Sequence, residues 1–477
     1  MGTFFVENEV KKRPGGYKRY TTDSGNAIAA ARDGVCACVL STDWGTGDIV
    51  TIARSDYRNQ AMKAFGMVPA IVSAMIEEGV TTLYCVRANV SSTDTPATIT
   101  LAGKTSEDES GSVTISEKYS GKLGMHVTVR ASLADDTKKE LIVYNGDNEV
   151  LETITFTAAA TGIDESDTLY DAIKADSSYI TMASKPATAV HTITAVANSA
   201  FTETAPATGT TVQYAAAADK LAPYYVSGIA IDKSDTSYTA LLRAYIDNVM
   251  EAGKKTIAVI GVQRGTGGMS FSDVLAYSRT VNNPFIVVLG DTYTDADGDT
   301  VDYALAAART LAAICAQPSS QAITHQTVTG AAGLRQDYTD YEYTQAIEAG
   351  VLMLSKSPDG AVWYDSGVNT LTSLASNQDE GWKKIRRTRT RLELWDRLDR
   401  TLDPLVGQIT NDDIGVANVI QLGQRVIDAM ISERKLIEGT FELDEDKGYD
   451  ADYAYFRVAV QDADSLEFIY QTYRFTY

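Results

Sequence analysis

The chain is poor in the residues that carry out chemistry. Its 477 residues include three histidines, His126, His191 and His325, and four cysteines, Cys36, Cys38, Cys85 and Cys315. A Ser-His-Asp hydrolase needs a histidine between a nucleophile and an orienting acid. Only His325 lies in a stretch with α/β patterning, Gln321-Ala-Ile-Thr-His-Gln326, and it has no Gly-x-Ser-x-Gly elbow. A hydrogen-bonded loop histidine is the expectation there, and no catalytic residue is assigned. There is no Cys-x-x-Cys, and Cys36 and Cys38 stand two apart in an apolar run, which places both on one side of a strand. Buried, reduced thiols and folding in a reducing cytoplasm follow.

Long apolar runs are also missing. No stretch of 18 apolar residues occurs, so no transmembrane helix is expected and membrane insertion is excluded as a role. Phe4-Phe5-Val6 is too short for a signal-peptide core and is followed by Glu7, and Val6 stands where a myristoylation motif wants Ser or Thr. Positive charge is scarce: 42 Lys and Arg against 63 Asp and Glu give a net charge of −21 and a pI near 4.6. That argues against direct binding to nucleic acid and favours solubility, with free copies repelling one another.

The remaining motifs are weak. Asp291 to Asp299 (Asp-Thr-Tyr-Thr-Asp-Ala-Asp-Gly-Asp) follows an apolar strand and resembles a calcium loop around Gly298. In that register Tyr293 falls on the first ligand position and Ala304 on the twelfth, so neither can coordinate. A solvated turn before the next helix is expected, and no metal or cofactor is assigned. Gln263-Arg-Gly-Thr-Gly-Gly268 lacks both P-loop and dinucleotide spacing and reads as a turn. The basic run Lys383, Lys384, Arg386, Arg387, Arg389 and Arg391 stands out in so acidic a chain. It is either a solvated helix face or an electrostatic contact with an acidic protein surface.

Periodicity divides the chain. Gly34–Ser41 and Thr81–Arg87 read as strands, with helices from Ser55 to about Gly66 and from Pro69 to Gly79. Residues 91–217 are rich in Thr, Ser and Ala, with Arg130 the only arginine. Alternating runs at Ala97–Leu101, Ser112–Glu117, His126–Arg130, Glu140–Tyr144, Leu151–Phe156, His191–Val196 and Thr210–Tyr214 suggest a small β-sandwich insert, with one helix over Asp164–Asp176. The α/β alternation then resumes: strands Tyr225–Ile231, Thr256–Val262 and Phe285–Leu289, and helices Ser237–Ala252, Ser270–Val281 and Asp302–Ala316. Val351–Leu354 and Ala361–Tyr364 read as strands and Gln378–Leu402 as a helix. A helix capped by Asn411-Asp412-Asp413 runs to about Ile437, before strands Thr440–Leu443 and Tyr453–Gln461.

Both ends read as apolar strands without a nearby partner: Thr3–Val10, with Phe4, Phe5, Val6 and Val10, and Leu466–Tyr477, with Phe468, Tyr470, Tyr473 and Phe475. Unpaired strands template pairing with another chain. Each arm either completes its own domain's sheet or is passed to a neighbour.

Several stretches together resemble the tail sheath proteins of contractile phages and phage-like bacteriocin particles. They are Arg13-Pro14-Gly15-Gly16-Tyr17, Ala306 to Ser320, Gly367-Val-Asn-Thr-Leu371, and the run from Lys384 through Leu402 with Ile414-Gly415 after it. The resemblance implies an α/β, α+β multidomain chain: a subtilisin-like α/β domain without a protease site, built from two sequence blocks (21–90 and 218–345), and a β-rich outer insert (91–217). It further implies a C-terminal α+β domain near the tail tube (346–463) and strand arms at 1–20 and 464–477 exchanged between subunits. The implied partners are other copies of the chain in a helical homopolymer, a tail tube protein, and baseplate and terminator proteins. The implied place is a virion tail assembled in the host bacterial cytoplasm, where the sheath contracts to drive the tube through a cell envelope. On this reading the six cations from Lys383 to Arg391 face an acidic tube. A hydrolase or metal enzyme using His325 or Asp295 and Asp297, and a self-assembling shell or surface-layer protein, remain the alternatives.

Overall fold

The computed structural model describes residues 30–91, 93–206, 208–265 and 267–476. Phe4, Phe5, Val6 and Val10 of the expected N-terminal arm lie outside them. Two compact units divide the chain. The larger comprises 32–393 and returns for 463–476; the smaller comprises 394–462 with Ala30 and Ala31.

The larger unit is built on a seven-stranded sheet. Its neighbours run Val50–Ala53, Thr82–Arg87, Val35–Leu40, Gly228–Ile231, Ile257–Gly261, Ile286–Leu289 and Val351–Leu352. All pairings are parallel except that of Val50–Ala53, an edge strand the periodicity had not indicated. Both faces are covered, which is why these strands are continuous apolar runs rather than alternating ones. Cys36, Cys38 and Leu40 face the core shared with helices Ala70–Glu77 and Tyr303–Ala316. Ala37 and Val39 face helices Thr211–Leu221, Thr236–Glu251 and Phe271–Val281. All four cysteines are buried free thiols, and burial raises those of Cys38 and Cys85. The alanine-rich helix Tyr303–Ala316 packs close to the sheet because glycine faces it. A Cβ on Gly261 would lie 2.0 Å from the Tyr303 carbonyl oxygen, and one on Gly228 would lie 2.8 Å from Cys315 Sγ.

The insert forms two four-stranded antiparallel sheets, the first led by Thr98–Lys104 and Ser110–Glu117 and the second by His126–Ala131, Lys138–Tyr144 and Val150–Thr157. Their inward residues, among them Leu101, Ile115, Val127, Leu141 and Phe156, make one core. The expected strand at Thr210–Tyr214 is instead the start of helix Thr211–Leu221. A capping box forms between Thr210 and Gln213, and the run Ala215–Ala218 favours helix. Tyr214, Ala217, Ala218 and Leu221 pack on the large sheet, so the insert closes before 211 rather than at 217. The expected boundary at 346 also moves. Val351–Leu352 is the outermost strand of the large sheet, and the division falls between 393 and 394.

The smaller unit packs helix Asp413–Ser432, capped by Asp412, on the hairpin Leu436–Leu443/Phe456–Asp462. The helix stops at Ser432, so Ile437 belongs to a strand. Arg397, 4% exposed, donates two hydrogen bonds to Glu433, at 2.8 and 2.7 Å, and Lys435 Nζ lies 2.7 Å from the same carboxylate. The Arg397 hydrogen bonds, above all, hold the Glu433 carboxyl down at about 2. A depressed carboxyl stabilises the fold above its unfolded pKa of about 4.3, and the contribution fades as pH falls towards 2. Glu433→Gln is expected to cost roughly 1–2 kcal/mol at pH 7, a figure reduced for the carboxylate's own exposure, and almost nothing at pH 2. Urea unfolding of both proteins at the two pH values checks it, and a gap independent of pH would refute it.

Candidate interaction site

Residues 466–476 are expected to form a strand and have no ladder partner among the described residues. A strand is defined by its hydrogen-bonded neighbour, and among the described residues none is offered. The side chains expected at a subunit contact are out in solvent: Phe468 and Tyr473 are more than two-thirds exposed, and Tyr470 and Phe475 more than nine-tenths. Leu466 and Ile469 join them. Lone exposed apolar side chains are ordinary; six within ten residues are not.

The root of this segment is built by the Gly367-Val-Asn-Thr-Leu371 turn. Val368 bridges to Lys384, and the Ile385 N–H donates to the Gly367 carbonyl. Buried Asn369 donates to the Trp382 carbonyl at 2.7 Å, and its own N–H reaches the Lys383 carbonyl. Thr370, also buried, donates its N–H to the Ile286 carbonyl in the large sheet. Residues 382–385 are thereby pinned to the sheet before helix Ile385–Leu402 starts. Lys384 Nζ then lies 2.8 Å from Asp464 Oδ2 and 3.0 Å from Glu467 Oε2, and Thr324 Oγ1 donates to Glu467 Oε1 at 3.4 Å.

The basic run does not present the outward positive face expected of it. Arg386 and Arg389 are buried: Arg386 Nε donates to the Ser320 carbonyl at 2.9 Å, and Arg389 Nη2 to the Gln317 carbonyl at 2.7 Å. Arg391 holds Asp379 with two bonds, at 2.7 and 2.9 Å, and Arg387 approaches it at 3.5 Å. The Arg391 hydrogen bonds lead in keeping the Asp379 carboxyl below the ordinary range. Lys383 pairs with Glu380 at 2.9 Å. The physical reason is local: acids and carbonyl oxygens in the loops around the helix compete for these cations. Charge periodicity along one helix reports neither the acids Asp379 and Glu380 in the segment just before it nor the loops at 317–320 and 464–467 that meet it from 60 or more residues away.

Of the chemical candidates, His325 stacks on Trp363 with ring centroids 4.0 Å apart and planes within 4°. Among the described residues its imidazole makes no hydrogen bond to a serine or an acid, so no triad is assembled. Asp295 Oδ1 accepts the N–H groups of Asp297 and Asp299, at 3.1 and 2.9 Å, and Asp302 caps the next helix. That is the turn expected there, and no metal-binding cluster occurs among the described residues. In the glycine-rich loop, Gly265 and Gly267 take φ of +87° and +83°, a turn conformation. No helix among the described residues is long and apolar enough to cross a membrane.

Sequence reasoning missed Asp464 and Glu467 as counterparts of Lys384. An acidic pair just ahead of an aromatic segment, in a chain with a basic run at 383–391, was the available signal. It also missed a carboxyl pair at the junction of insert and sheet, for which no local signal exists. Glu117 is wholly buried and accepts from Trp44 Nε1 at 3.1 Å. Neighbouring Glu203 accepts the N–H groups of Leu123, Gly124 and Met125 at 3.2, 2.6 and 2.8 Å. Burial first, and then Glu203, push the Glu117 carboxyl up to about 9.

Residues 207–370 match the family model described as the phage tail sheath protein central domain. No curated protein sequence matches. Among solved structures, a sheath tail protein from Desulfitobacterium hafniense is 15% identical, covers 94% of this chain and 100% of its own, and superposes with a TM-score of 0.67. A sheath tail protein from Listeria innocua is 14% identical over 91% and 96%, with a TM-score of 0.63. The helical sheath of the anti-feeding prophage in its contracted state is 11% identical over 98% and 99%, at 0.53. At these identities the likeness is one of fold, and it spans nearly the whole chain.

Proposed function

We propose, for a chain that carries the phage tail sheath central domain and has the sheath-protein fold throughout, the role of structural subunit in a contractile sheath. The observation that carries this reading is the family match over 207–370. Copies of the chain associate with one another and with a baseplate, as in the related particles. The finer picture is ours: helical polymerisation around a tail tube, a terminator at the far end, assembly in a bacterial cytoplasm, and contraction that drives the tube through an envelope. The arms are the means of connection. The exposed 466–476 segment pairs with a sheet edge on a neighbouring subunit, and residues 1–20 do likewise. A continuous covalent link of this kind lets bodies slide and rotate while contacts between them are replaced. With the basic run engaged internally, a tube contact would fall first on Lys383, whose partner Glu380 is mostly exposed.

Negative-stain microscopy of the purified full-length protein tests the function. Hollow helical tubes are expected. Flat arrays would instead support a shell protein, and monodisperse particles under all conditions would overturn the sheath reading.

A further inference from the structure

We propose that Lys384 is a positioning residue for the C-terminal segment, an ionic latch that fixes a bend at 464–467 and so sets the direction in which the aromatic arm leaves the body. This rests on the reading above that the arm is passed to another copy of the chain.

The argument begins with spacing. Asp464 and Glu467 are three residues apart, and along a straight strand such side chains point to opposite faces. Both nevertheless reach a single ammonium, at 2.8 and 3.0 Å. The backbone must therefore turn between them, and Lys384 stabilises that turn. The ammonium is itself well founded. Its residue is held by the bridge to Val368 and by the Ile385–Gly367 hydrogen bond, so the latch refers the bend to the large sheet. Glu467, with a side chain 15% exposed, takes a further bond from Thr324, which makes it the firmer side of the clamp.

Glu467 is also the last tie. Among the described residues, no hydrogen bond or ion pair joins 468–476 to the rest of the unit, and the large side chains there are exposed. Without the latch the segment pivots near Ala463, with the same aromatic side chains but no fixed heading. A strand that must meet an acceptor edge at one angle then finds it more slowly. The latch governs how fast copies join, while the contacts formed afterwards govern how firmly they hold. The three groups are part-exposed, so raised ionic strength screens the attraction and loosens the root.

The test uses the full-length subunit and two variants that open the clamp from opposite sides, Lys384→Met and the double change Asp464→Asn with Glu467→Gln. Chymotryptic cleavage at Phe468 is measured in the unassembled protein at low and high salt. Both variants are expected to be cut roughly three- to tenfold faster than the parent at low salt, the range that one or two part-exposed ion pairs supply. The parent should approach them at high salt. In assembly, both should show a longer lag and the parent's tube diameter at plateau. Equal cleavage rates in all three proteins would overturn the latch. Acceleration in Lys384→Met alone would also overturn it, assigning Lys384 to the body rather than the arm. If the parent forms no tubes, the sheath reading fails, and the cleavage comparison still decides the latch.

Discussion

A subunit lacking Leu466–Tyr477 is expected to fold to nearly the parent's stability and to form no tubes. The asymmetry follows from where the segment's interactions lie. Within the chain, truncation removes the Glu467 contacts with Lys384 and Thr324 while Asp464 stays in place. A part-exposed pair of this sort contributes about 1 kcal/mol or less. The apolar side chains lost are already in water, so no core is opened. On the proposed exchange of the arm, the position reverses between copies. Each backbone hydrogen bond of an added strand contributes about 0.5–1.5 kcal/mol net, and each large side chain it buries roughly 1.5–3 kcal/mol more. Several of each are forfeited together, so the effect on assembly is all or none. Thermal unfolding and electron microscopy of the truncated protein, side by side, check both halves. Tubes at the parent's yield, or a protein that no longer folds, would refute the account. Removal of Met1–Val10 is the companion experiment on the other expected arm.

Glu117→Gln is expected to stabilise the protein at alkaline pH by several-fold more than an ordinary surface change. Folding buries this carboxyl beside Glu203 and holds its pKa near 9. In the unfolded chain the value is about 4.3. Between those two values the folded protein keeps a proton that the unfolded chain has released, so stability falls as pH rises through the window, by up to about 1.4 kcal/mol per pH unit. Glutamine has the same shape, gives Glu203 a hydrogen-bond donor at every pH, and can still accept from Trp44. A gain on the order of 2–4 kcal/mol at pH 8, shrinking to near zero by pH 5, is the expected result in urea unfolding. A variant less stable than the parent at pH 8, or a gain that does not change with pH, would show that Glu117 is already ionised in the folded protein. Because the pair sits where Trp44 of the sheet layer meets the insert, the same titration should loosen the insert first.

The sequence by itself determined the alternation of strands and helices on both sides of residues 91–217, and the core faces of the main elements. Cys36 and Cys38 share a strand face, as their spacing required, and Asp302 and Asp412 cap the helices that follow them. These are local properties: a period of two or 3.6, a cap, a glycine in a turn, all fixed within a few residues. Gly367-Val-Asn-Thr-Leu371 was legible for the same reason, being a short run with one structural task. What tertiary structure decided lies across the chain. The edge strand Val50–Ala53 has too little pattern of its own and exists because Thr82–Arg87 offers it a ladder. Helix Thr211–Leu221 overrode a short β-like alternation once its apolar face had a sheet to cover. The basic run from Lys383 is the clearest case. Read along one helix it looks like a surface for an outside partner; in the folded unit Gln317, Ser320, Asp379, Asp464 and Glu467 engage its cations from within. Charge is visible in a sequence, but its partner is set by which loops the fold brings to within 3 Å, and that depends on every element between them.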